Sequence, residues 1–299
     1  MKPAETKIAF VGLGLMGIPM AKNLLKSGYA VTGFDLNKEV ATKFYDDKGF
    51  TFSSTPSEAI RGATVTILML PDSKIIDALL WGSDGRTGIV DELAKGSFLI
   101  DMSSSSPTSS KVNNKKLEER GVSFMDAPVS GGVKKAIDGS LAIIVGGKKE
   151  HFDEALPLLA CMGKSITHVG DAGAAHAVKA LNNYVSAAGL IAACEALNAA
   201  KEFGLDPHIV NQVFNASTGR NNTTENKVEN FMLNDAFNSG FSLALMRKDI
   251  QIALSFIKDM KCYAGLAQQC FATAKEADEK LGKGADHTAV YEYVRTQKK

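Results

Sequence analysis

The sequence predicts a chain of two domains: an α/β domain built on a doubly wound, largely parallel sheet, and an all-α domain joined to it by a long helix. Up to about residue 170, short apolar and β-branched runs alternate with helix-like stretches, and beyond it helical segments dominate. A long segment of small apolar residues, 174–203, lies where the two patterns meet. We therefore expect one domain at residues 1–170 and a second at residues 171–299.

The strand-like runs of the first domain are, in order, KIAFVGLG, AVTGFD, TVTILMLP, SFLIDMS, VSFMDAP, LAIIVGG and THVG. Amphipathic stretches between several of them predict helices at 15–27, 37–46, 107–120 and 150–161. Such alternation favours parallel strands, because each helix carries the chain back across a face of the sheet. In the second domain, Pro207 and the polar segment NASTGRNNTT separate the helices.

Composition argues against several classes of protein. The 299 residues are enough for two domains, each with its own hydrophobic core. The formal net charge of +1 does not indicate the strongly positive surface that binds nucleic acid or an anionic membrane. No apolar run reaches the roughly 20 residues needed to cross a bilayer. The four cysteines form no C-x-x-C pair and the five histidines show no ligand spacing, so we expect reduced thiols and no metal site.

The opening residues, MKPAETK, are too short and too polar for a secretory signal, and an apolar strand follows them at once. We therefore expect neither a secretory signal nor a mitochondrial presequence in this sequence. Together with the scattered cysteines, this predicts a cytoplasmic protein.

The first strand is followed by a glycine pattern typical of dinucleotide binding. Gly12, Gly14 and Gly17 have G-x-G-x-x-G spacing between an apolar strand and an amphipathic helix. The first glycine allows a tight turn, the second lets the backbone approach a pyrophosphate, and the third lets helix and strand pack closely. A plain strand-to-helix turn is the alternative. The predicted cofactor-binding residues of this loop are Gly12, Leu13, Gly14, Leu15, Met16 and Gly17.

An acidic residue ends the second strand. Asp35 follows AVTGF at about the distance at which a carboxylate hydrogen-bonds the adenosine ribose. A carboxylate there repels a 2′-phosphate, so NAD is the expected cofactor, while the nearby cation Lys38 keeps NADP as the second candidate. The alternative role for Asp35 is the N-cap of a helix in NKEVATKF.

Two further strands end in segments suited to a cofactor, since open α/β sheets bind ligands at the carboxyl ends of their strands. Leu70 and Pro71 end one of them, where the chain would turn over a bound nucleotide. The run DMSSSSP ends another, and we expect Ser104 to face the nicotinamide end of the cofactor. Ser106 and Pro107 have the residue types of an N-cap and a first helical position.

Two segments nearer the middle of the chain suit a substrate. Ser130, Gly131 and Gly132 combine a hydroxyl with consecutive backbone N–H groups, which suits a carboxylate, although a glycine loop before a short helix has equal weight. Lys179 and Asn183 are four residues apart, so they share a face of the long helix. A lysine in so apolar a context is either used in chemistry or extends to solvent.

Five motifs, in this order and over nearly the whole chain, resemble the β-hydroxyacid dehydrogenase family: VGLGLMGIPMAKNLL, DMSSSSP, DAPVSGG, GDAGAAHAVKALNN and MRKDIQIAL. The family includes 3-hydroxyisobutyrate dehydrogenase and tartronate semialdehyde reductase. The resemblance implies a Rossmann-type domain followed by an all-helical domain. It also implies hydride transfer between a nicotinamide cofactor and C3 of a short 3-hydroxy acid, or reduction of the matching semialdehyde.

By motif position, the resemblance implies that Lys179 is the catalytic acid/base and that Asn183 contacts the substrate. It implies that Ser130–Gly132 holds the substrate carboxylate, that Ser104 touches the cofactor and that Lys248 lies near the nicotinamide. A lysine that serves as a base near neutral pH needs a pKa below its ordinary value of about 10.4. Burial or a cationic neighbour would lower it, and Lys248 is a candidate neighbour.

Some residues depart from the family pattern or stay open. Ala175 stands where the lysine motif usually has its third glycine, and TGRNN lacks the aromatic residue that often follows in relatives. The polar side chains of Arg220, Asn221 and Asn222 either line the far side of a substrate with extra hydroxyl or acidic groups, or form a solvated loop and helix cap. His176 is interpreted either as a residue that supports the site or as one on the cofactor side.

Two other functions are the alternatives. An imine reductase-like enzyme would have Asp or Tyr in place of Lys179, and a non-catalytic NAD(H) sensor has no use for an acid/base. The expected partners are a small hydroxy acid or semialdehyde and further copies of the chain. A homodimer or homotetramer is expected, because a helical domain this small seldom buries all of its apolar surface.

Overall fold

The computed structural model describes residues 1–297. The chain folds into two compact units, Met1–Lys179 and Ala180–Lys299. This division falls within one long helix, whereas the boundary predicted from the sequence, between residues 170 and 171, lies just ahead of it. The predicted boundary stays a prediction about where the functional domains divide.

The first unit contains the strands. They are β1 (Lys7–Val11), β2 (Ala30–Phe34), β3 (Phe50–Phe52), β4 (Val65–Leu68), β5 (Gly82–Ser83), β6 (Arg86–Thr87), β7 (Phe98–Asp101), β8 (Ser123–Asp126), β9 (Val129–Ser130), β10 (Leu141–Gly146) and β11 (Gly163–Gly170). The main sheet has the order β11-β10-β8-β7-β4-β1-β2-β3, with β9 paired to β10, and β5 and β6 form a separate hairpin.

Parallel pairing runs without interruption from β3 through β2, β1, β4 and β7 to β8. If the small hairpin is set aside, these strands have the order 3-2-1-4-5-6 along the sheet, which is the order of dinucleotide-binding doubly wound folds. Strand β10 departs from this pattern, because it is antiparallel to β8 and β9 and parallel to β11. The predicted, largely parallel sheet is therefore present.

The helices of the first unit lie between these strands. They are α1 (Gly17–Lys26), α2 (Pro56–Ile60), α3 (Ser73–Trp81), α4 (Pro107–Glu118), α5 (Gly132–Ile137) and α6 (Lys149–Leu159). The next helix, α7 (Ala174–Glu202), continues into the second unit. The first unit also contains 3₁₀ segments, the longest of which has seven residues: Pro3–Glu5, Lys38–Phe44 and Val90–Glu92.

The central strands β1, β4 and β7 are buried on both faces, which explains why they are mostly apolar. Ile8 and Phe10 of β1 pack into one core, and the alternate residues Ala9 and Val11 pack into another. Side chains of α1, α5 and α6 complete the first core, and side chains of α2, α3 and α4 complete the second. A strand covered on both faces has no position for a solvated side chain along its middle.

Local signals predict the start of α4 correctly, but they mispredict the segment that follows β2. Ser106 is the N-cap of α4 and accepts a hydrogen bond from the Ser109 amide, with Pro107 in the first turn, as predicted. The helix predicted at 37–46 is instead the 3₁₀ segment, capped by Asn37. Its β-branched residues and short length favour the α-helix little.

The second unit is helical. Besides the later part of α7 it contains α8 (Pro207–Ala216), α9 (Asn222–Asn226), a π-helical turn (Val228–Met232), α10 (Leu243–Asp259), α11 (Gly265–Leu281), a 3₁₀ turn (His287–Ala289) and α12 (Val290–Thr296). Side chains of α7, α10, α11 and α12 form its core, which includes the buried ring of Tyr291. None of the helices within residues 1–297 combines the length and the apolarity that a membrane crossing needs.

The polar segment after α8 has a local structural role. The Asn221 side chain accepts hydrogen bonds from the amides of Thr223 and Thr224, and the Thr224 hydroxyl accepts one from the Asn221 amide, so the pair caps α9. Arg220 is exposed and forms an ion pair with Glu225 at 3.6 Å. These contacts agree with the interpretation of this segment as a solvated loop and helix cap.

Candidate active site

The predicted ligand-binding segments of the first unit follow the carboxyl ends of its parallel strands. The glycine loop follows β1, Asp35 follows β2, Leu70 follows β4 and Ser104 follows β7, while Ser130 ends the short strand β9 that comes next after β8. Because β1, β2, β4, β7 and β8 are parallel and adjacent, their carboxyl ends lie along one edge of the sheet. The topology therefore gathers side chains that are spread over more than 100 residues of sequence.

The glycine loop has one glycine that the fold itself does not explain. A Cβ atom on Gly12 would overlap the carbonyl oxygen of Met69, and a Cβ on Gly17 would overlap the carbonyl oxygen of Gly12. Around Gly14, in contrast, no atom of the described residues other than its chain neighbours lies within 4 Å of the Cβ position. Close approach of a ligand backbone is the usual reason for a glycine at this second position.

The start of α1 is suited to an anion. Met16 occupies its N-cap position and supplies no side-chain hydrogen bond to the first amides of the helix. Within the loop, the Leu13 side chain is fully buried, whereas the Leu15 side chain is 80% exposed to solvent. With the open space at Gly14, this geometry fits the pyrophosphate of a dinucleotide, held by backbone N–H groups at the helix N-terminus.

Asp35 connects the end of β2 with the glycine loop. One carboxylate oxygen accepts a hydrogen bond from the Leu13 amide and the other from the Asn37 amide, both at 2.8 Å. Each oxygen has a second lone pair, so the carboxylate can still accept a hydrogen bond from a ribose hydroxyl. Asp35 therefore holds the glycine loop in place and is a candidate contact for the ribose. The N-cap of the 3₁₀ segment that follows is Asn37, not Asp35.

The serine run after β7 contains supporting residues on either side of the predicted cofactor contact. Asp101 accepts hydrogen bonds from the Ser103 amide at 2.9 Å and from the Ser105 hydroxyl at 2.8 Å. The Ser103 hydroxyl accepts a hydrogen bond from the Leu70 amide at 2.9 Å. Ser104 lies half-buried between these two engaged serines. Pro71, the other predicted contact here, is exposed after Leu70.

His176 is a buried link between segments of the first unit. Its Nε2 atom donates to the Ser103 carbonyl at 3.1 Å, and its Nδ1 atom shares a hydrogen bond with the Ser110 hydroxyl at 2.8 Å. The ring is 1% exposed and joins α7 to α4 and to the serine run. Its contacts are those of a supporting residue.

The first turn of α7 is capped by a residue that sequence analysis missed. The buried Asp126, at the end of β8, accepts hydrogen bonds from the amides of Gly173 and His176 at 2.7 and 2.8 Å. The sequence signal that could have identified Asp126 is its position as an acidic residue at the end of an apolar strand, at the start of the motif DAPVSGG. Ala175, the departure from the family motif, is fully buried in this turn.

Lys179 lies beside the predicted carboxylate site. Its Nζ atom donates a hydrogen bond to the carbonyl oxygen of Val129 at 2.8 Å, and Val129 directly precedes Ser130. Ser130, Gly131 and Gly132 are exposed, and the two glycines have φ values of 131° and 68°, which favour glycine. The structure thus brings the candidate acid/base and the Ser130–Gly132 segment together.

In the second unit, Asn183 is held by a buried carboxylate. Its Nδ2 atom donates to Oδ2 of Asp249 at 2.7 Å, and its Oδ1 atom accepts from the Asn182 amide group at 3.2 Å. The Lys248 ammonium lies 4.0 Å from the other oxygen of Asp249. Sequence analysis noted Lys248 and Asn183 but missed Asp249, the residue that connects them.

Within residues 1–297, the cysteines form no disulfide and the His, Cys, Asp and Glu side chains form no metal-binding cluster. All four cysteines are free thiols, and burial raises the pKa of both Cys194 and Cys270. In the part of the chain that the structure describes, no group of three or more His, Cys, Asp or Glu side chains is arranged to hold a metal ion.

Two family models match the chain. Residues 7–170 match one described as the NAD binding domain of 6-phosphogluconate dehydrogenase, and residues 173–294 match one described as NAD-binding of NADP-dependent 3-hydroxyisobutyrate dehydrogenase. The chain is 35% identical over 300 residues to the mitochondrial 3-hydroxyisobutyrate dehydrogenase of Mus musculus, covering 98% of this chain and 88% of the relative. It is 36% identical to the 2-(hydroxymethyl)glutarate dehydrogenase of Eubacterium barkeri, over 85% of this chain and 83% of the relative.

A solved structure has the same fold over nearly the full length. It is a Mycobacterium tuberculosis 3-hydroxyisobutyrate dehydrogenase with L-serine, with a TM-score of 0.89, 31% identity, and coverage of 99% of this chain and 100% of the other. The fold and the site therefore define an oxidoreductase with NAD(P)-binding domains. More specifically, the chain belongs to the β-hydroxyacid dehydrogenase family, and the predicted Rossmann-type fold followed by a helical domain is confirmed.

Proposed function

We propose that this chain transfers a hydride between NAD and C3 of a short 3-hydroxy acid, or reduces the matching semialdehyde, with Lys179 as the general acid/base. The observation that carries the proposal is the hydrogen bond from the Lys179 ammonium to the carbonyl oxygen of Val129. Val129 is the residue directly before Ser130 in the chain, so this bond holds the ammonium beside the Ser130–Gly132 segment. A carboxylate on the Ser130–Gly132 segment would place the hydroxyl of a short acid within reach of that ammonium.

The residues present fit each task of the reaction. A bound nicotinamide would accept the hydride in oxidation or supply it in reduction. Lys179 would take the hydroxyl proton as the alcohol is oxidised and return it when the carbonyl is reduced. While charged, its ammonium would also stabilise negative charge that develops on the substrate oxygen. Asn183, one turn further along α7, would hold the substrate hydroxyl or carboxylate.

The substrate class is proposed from the site and from the names of the relatives. 3-Hydroxyisobutyrate, 2-(hydroxymethyl)glutarate and L-serine share a primary alcohol on the carbon β to a carboxylate. That shared unit fits the proposed roles of Lys179 as acid/base and of the Ser130–Gly132 segment as the carboxylate site. The direct test is oxidation of NADH or NADPH with the semialdehydes of methylmalonate, tartronate and succinate and with sulfolactaldehyde. Absence of turnover with every member, despite cofactor binding, would favour a sensor.

We propose NAD as the preferred cofactor, because Asp35 places a carboxylate at the end of β2. Changing Asp35→Asn keeps the side-chain shape and removes the charge that repels a 2′-phosphate. The ratio of kcat/KM with NADPH to kcat/KM with NADH is expected to rise by about tenfold, a modest effect for a charge in contact with solvent. Steady-state kinetics with both cofactors measures it. Asp46→Asn, an exposed change in the same unit, is the control, and a wild-type preference for NADPH would contradict the assignment.

We also propose that the chain assembles as a homodimer or homotetramer through its helical unit. The side chains of Val185, Ile209 and Val213 are 67%, 55% and 56% exposed. Ile209 and Val213 are four residues apart and share a face of α8, which suits contact with another copy of the chain. Sedimentation at micromolar concentration is expected to show an oligomer, and Val213→Asp is expected to weaken it. Gln212→Asp adds the same charge at the neighbouring exposed position and serves as the control. A wild-type monomer would contradict the proposal.

A further inference from the structure

We infer that Asp249 is a positioning residue, which fixes the orientation of the Asn183 side chain toward the substrate. The inference rests on the proposed function, because it takes Asn183 as a substrate contact. Asp249 lies on α10, is 6% exposed, and accepts a hydrogen bond from Nδ2 of Asn183 at 2.7 Å. The two residues are 66 positions apart in the chain, so the contact is a product of the tertiary structure.

The carboxylate determines which way the amide faces. An asparagine side chain has nearly the same shape when its oxygen and nitrogen are exchanged, so its orientation depends on its partners. A carboxylate only accepts hydrogen bonds, and it therefore requires the NH₂ group of Asn183 on its side. The Asn182 amide group, which donates to Oδ1 of Asn183 at 3.2 Å, agrees with this orientation.

The fixed orientation leaves Asn183 with a defined set of remaining groups. Beyond its contacts with Asp249 and Asn182 in the described part of the chain, Asn183 has a second N–H that can donate and a second lone pair on Oδ1 that can accept. A substrate hydroxyl or carboxylate thus meets a donor and an acceptor in constant positions. If the amide were free to turn, part of the binding free energy would be lost in ordering it.

The charge near Asp249 is also balanced locally. Lys248 places its ammonium 4.0 Å from Oδ1 of Asp249, and the amide of Asn183 satisfies Oδ2. A buried carboxylate is stable only when it is paired or hydrogen-bonded in this way. Asp249 therefore links Asn183 with Lys248, the residue predicted to lie near the nicotinamide.

The test is a double-mutant cycle on substrate kinetics. Asp249→Ala is expected to lower kcat/KM for the hydroxy acid by at least about tenfold, mainly through KM, because the charge-assisted hydrogen bond to Asn183 is lost. Asp249→Asn, which offers an oxygen of the same geometry to Asn183, is expected to recover part of this loss.

The cycle separates action through Asn183 from independent action. In an Asn183→Ala background, Asp249→Ala is expected to cost less than about twofold, because the side chain that it positions is gone. Losses that multiply instead would overturn the inference. Asp259→Asn, at the exposed end of the same helix, controls for a change of charge on α10. If Asp249→Ala does not fold, the same cycle is run with Asp249→Asn, whose shape is conserved.

The outcome distinguishes this inference from the proposed function. If Asn183→Ala alone leaves the KM for every acid unchanged, Asn183 is outside the substrate site and the proposed function loses one of its residues together with this inference. If Asn183→Ala raises KM and neither Asp249 variant does, the proposed site stands and only the positioning role of Asp249 is rejected.

Discussion

Replacing Lys179 with alanine is expected to lower kcat by at least about a hundredfold, because the reaction loses the group that exchanges the hydroxyl proton. The protein is expected to stay folded, since the lost hydrogen bond to the Val129 carbonyl contributes only about 1 kcal/mol. NADH binding is expected to persist, because the glycine loop is unchanged. Steady-state oxidation of NADH with the semialdehyde panel measures the rate, and fluorescence titration measures cofactor binding.

A second lysine on the same helix provides the matched control. Lys201 is exposed in the last turn of α7, and Lys201→Ala removes one positive charge from that helix without touching the proposed site. It is expected to keep the wild-type rate. If Lys179→Ala binds NADH and also keeps its rate, Lys179 is not the acid/base and the mechanism must be rebuilt around another group.

Gly14 and Gly17, both in the glycine pattern between β1 and the first turn of α1, are expected to respond differently to replacement by alanine. Gly14→Ala is expected to change the free energy of unfolding by less than about 1 kcal/mol, because no described atom crowds its Cβ position. It is expected to weaken NADH binding by at least about tenfold, since the new methyl group occupies the space where a pyrophosphate approaches. Thermal unfolding and fluorescence titration with NADH measure the two effects separately.

Gly17→Ala is the counterpart that tests the packing argument. Its Cβ would overlap the carbonyl oxygen of Gly12, so we expect a loss of stability of about 1–3 kcal/mol or more from overpacking. A Gly14→Ala variant that binds NADH as well as the wild type would remove the pyrophosphate from the glycine loop. A Gly14→Ala variant that unfolds like Gly17→Ala would show that packing, not a ligand, requires that glycine.

Much of this protein is determined by local sequence signals. The apolar runs of the first 170 residues predicted the parallel sheet because strands covered on both faces contain no solvated positions. The glycine loop was recognisable because the spacing of Gly12, Gly14 and Gly17 is set by one turn between one strand and one helix. The cap at Ser106 was recognisable for the same reason, since an N-cap and its partner are three residues apart.

The supports of the candidate site were not predictable in this way. The cap of α7 is Asp126, which lies 47 and 50 residues before the two amides that it binds, and the partner of Asn183 is 66 residues away on α10. No periodicity connects such pairs. The sequence by itself determined the glycine loop and most strands of the main sheet, because these depend on neighbours along the chain. The candidate role of Lys179 came from the family resemblance of its motif. Only the tertiary structure decided which buried carboxylates hold them in place, because strand order and helix packing choose partners by distance in space.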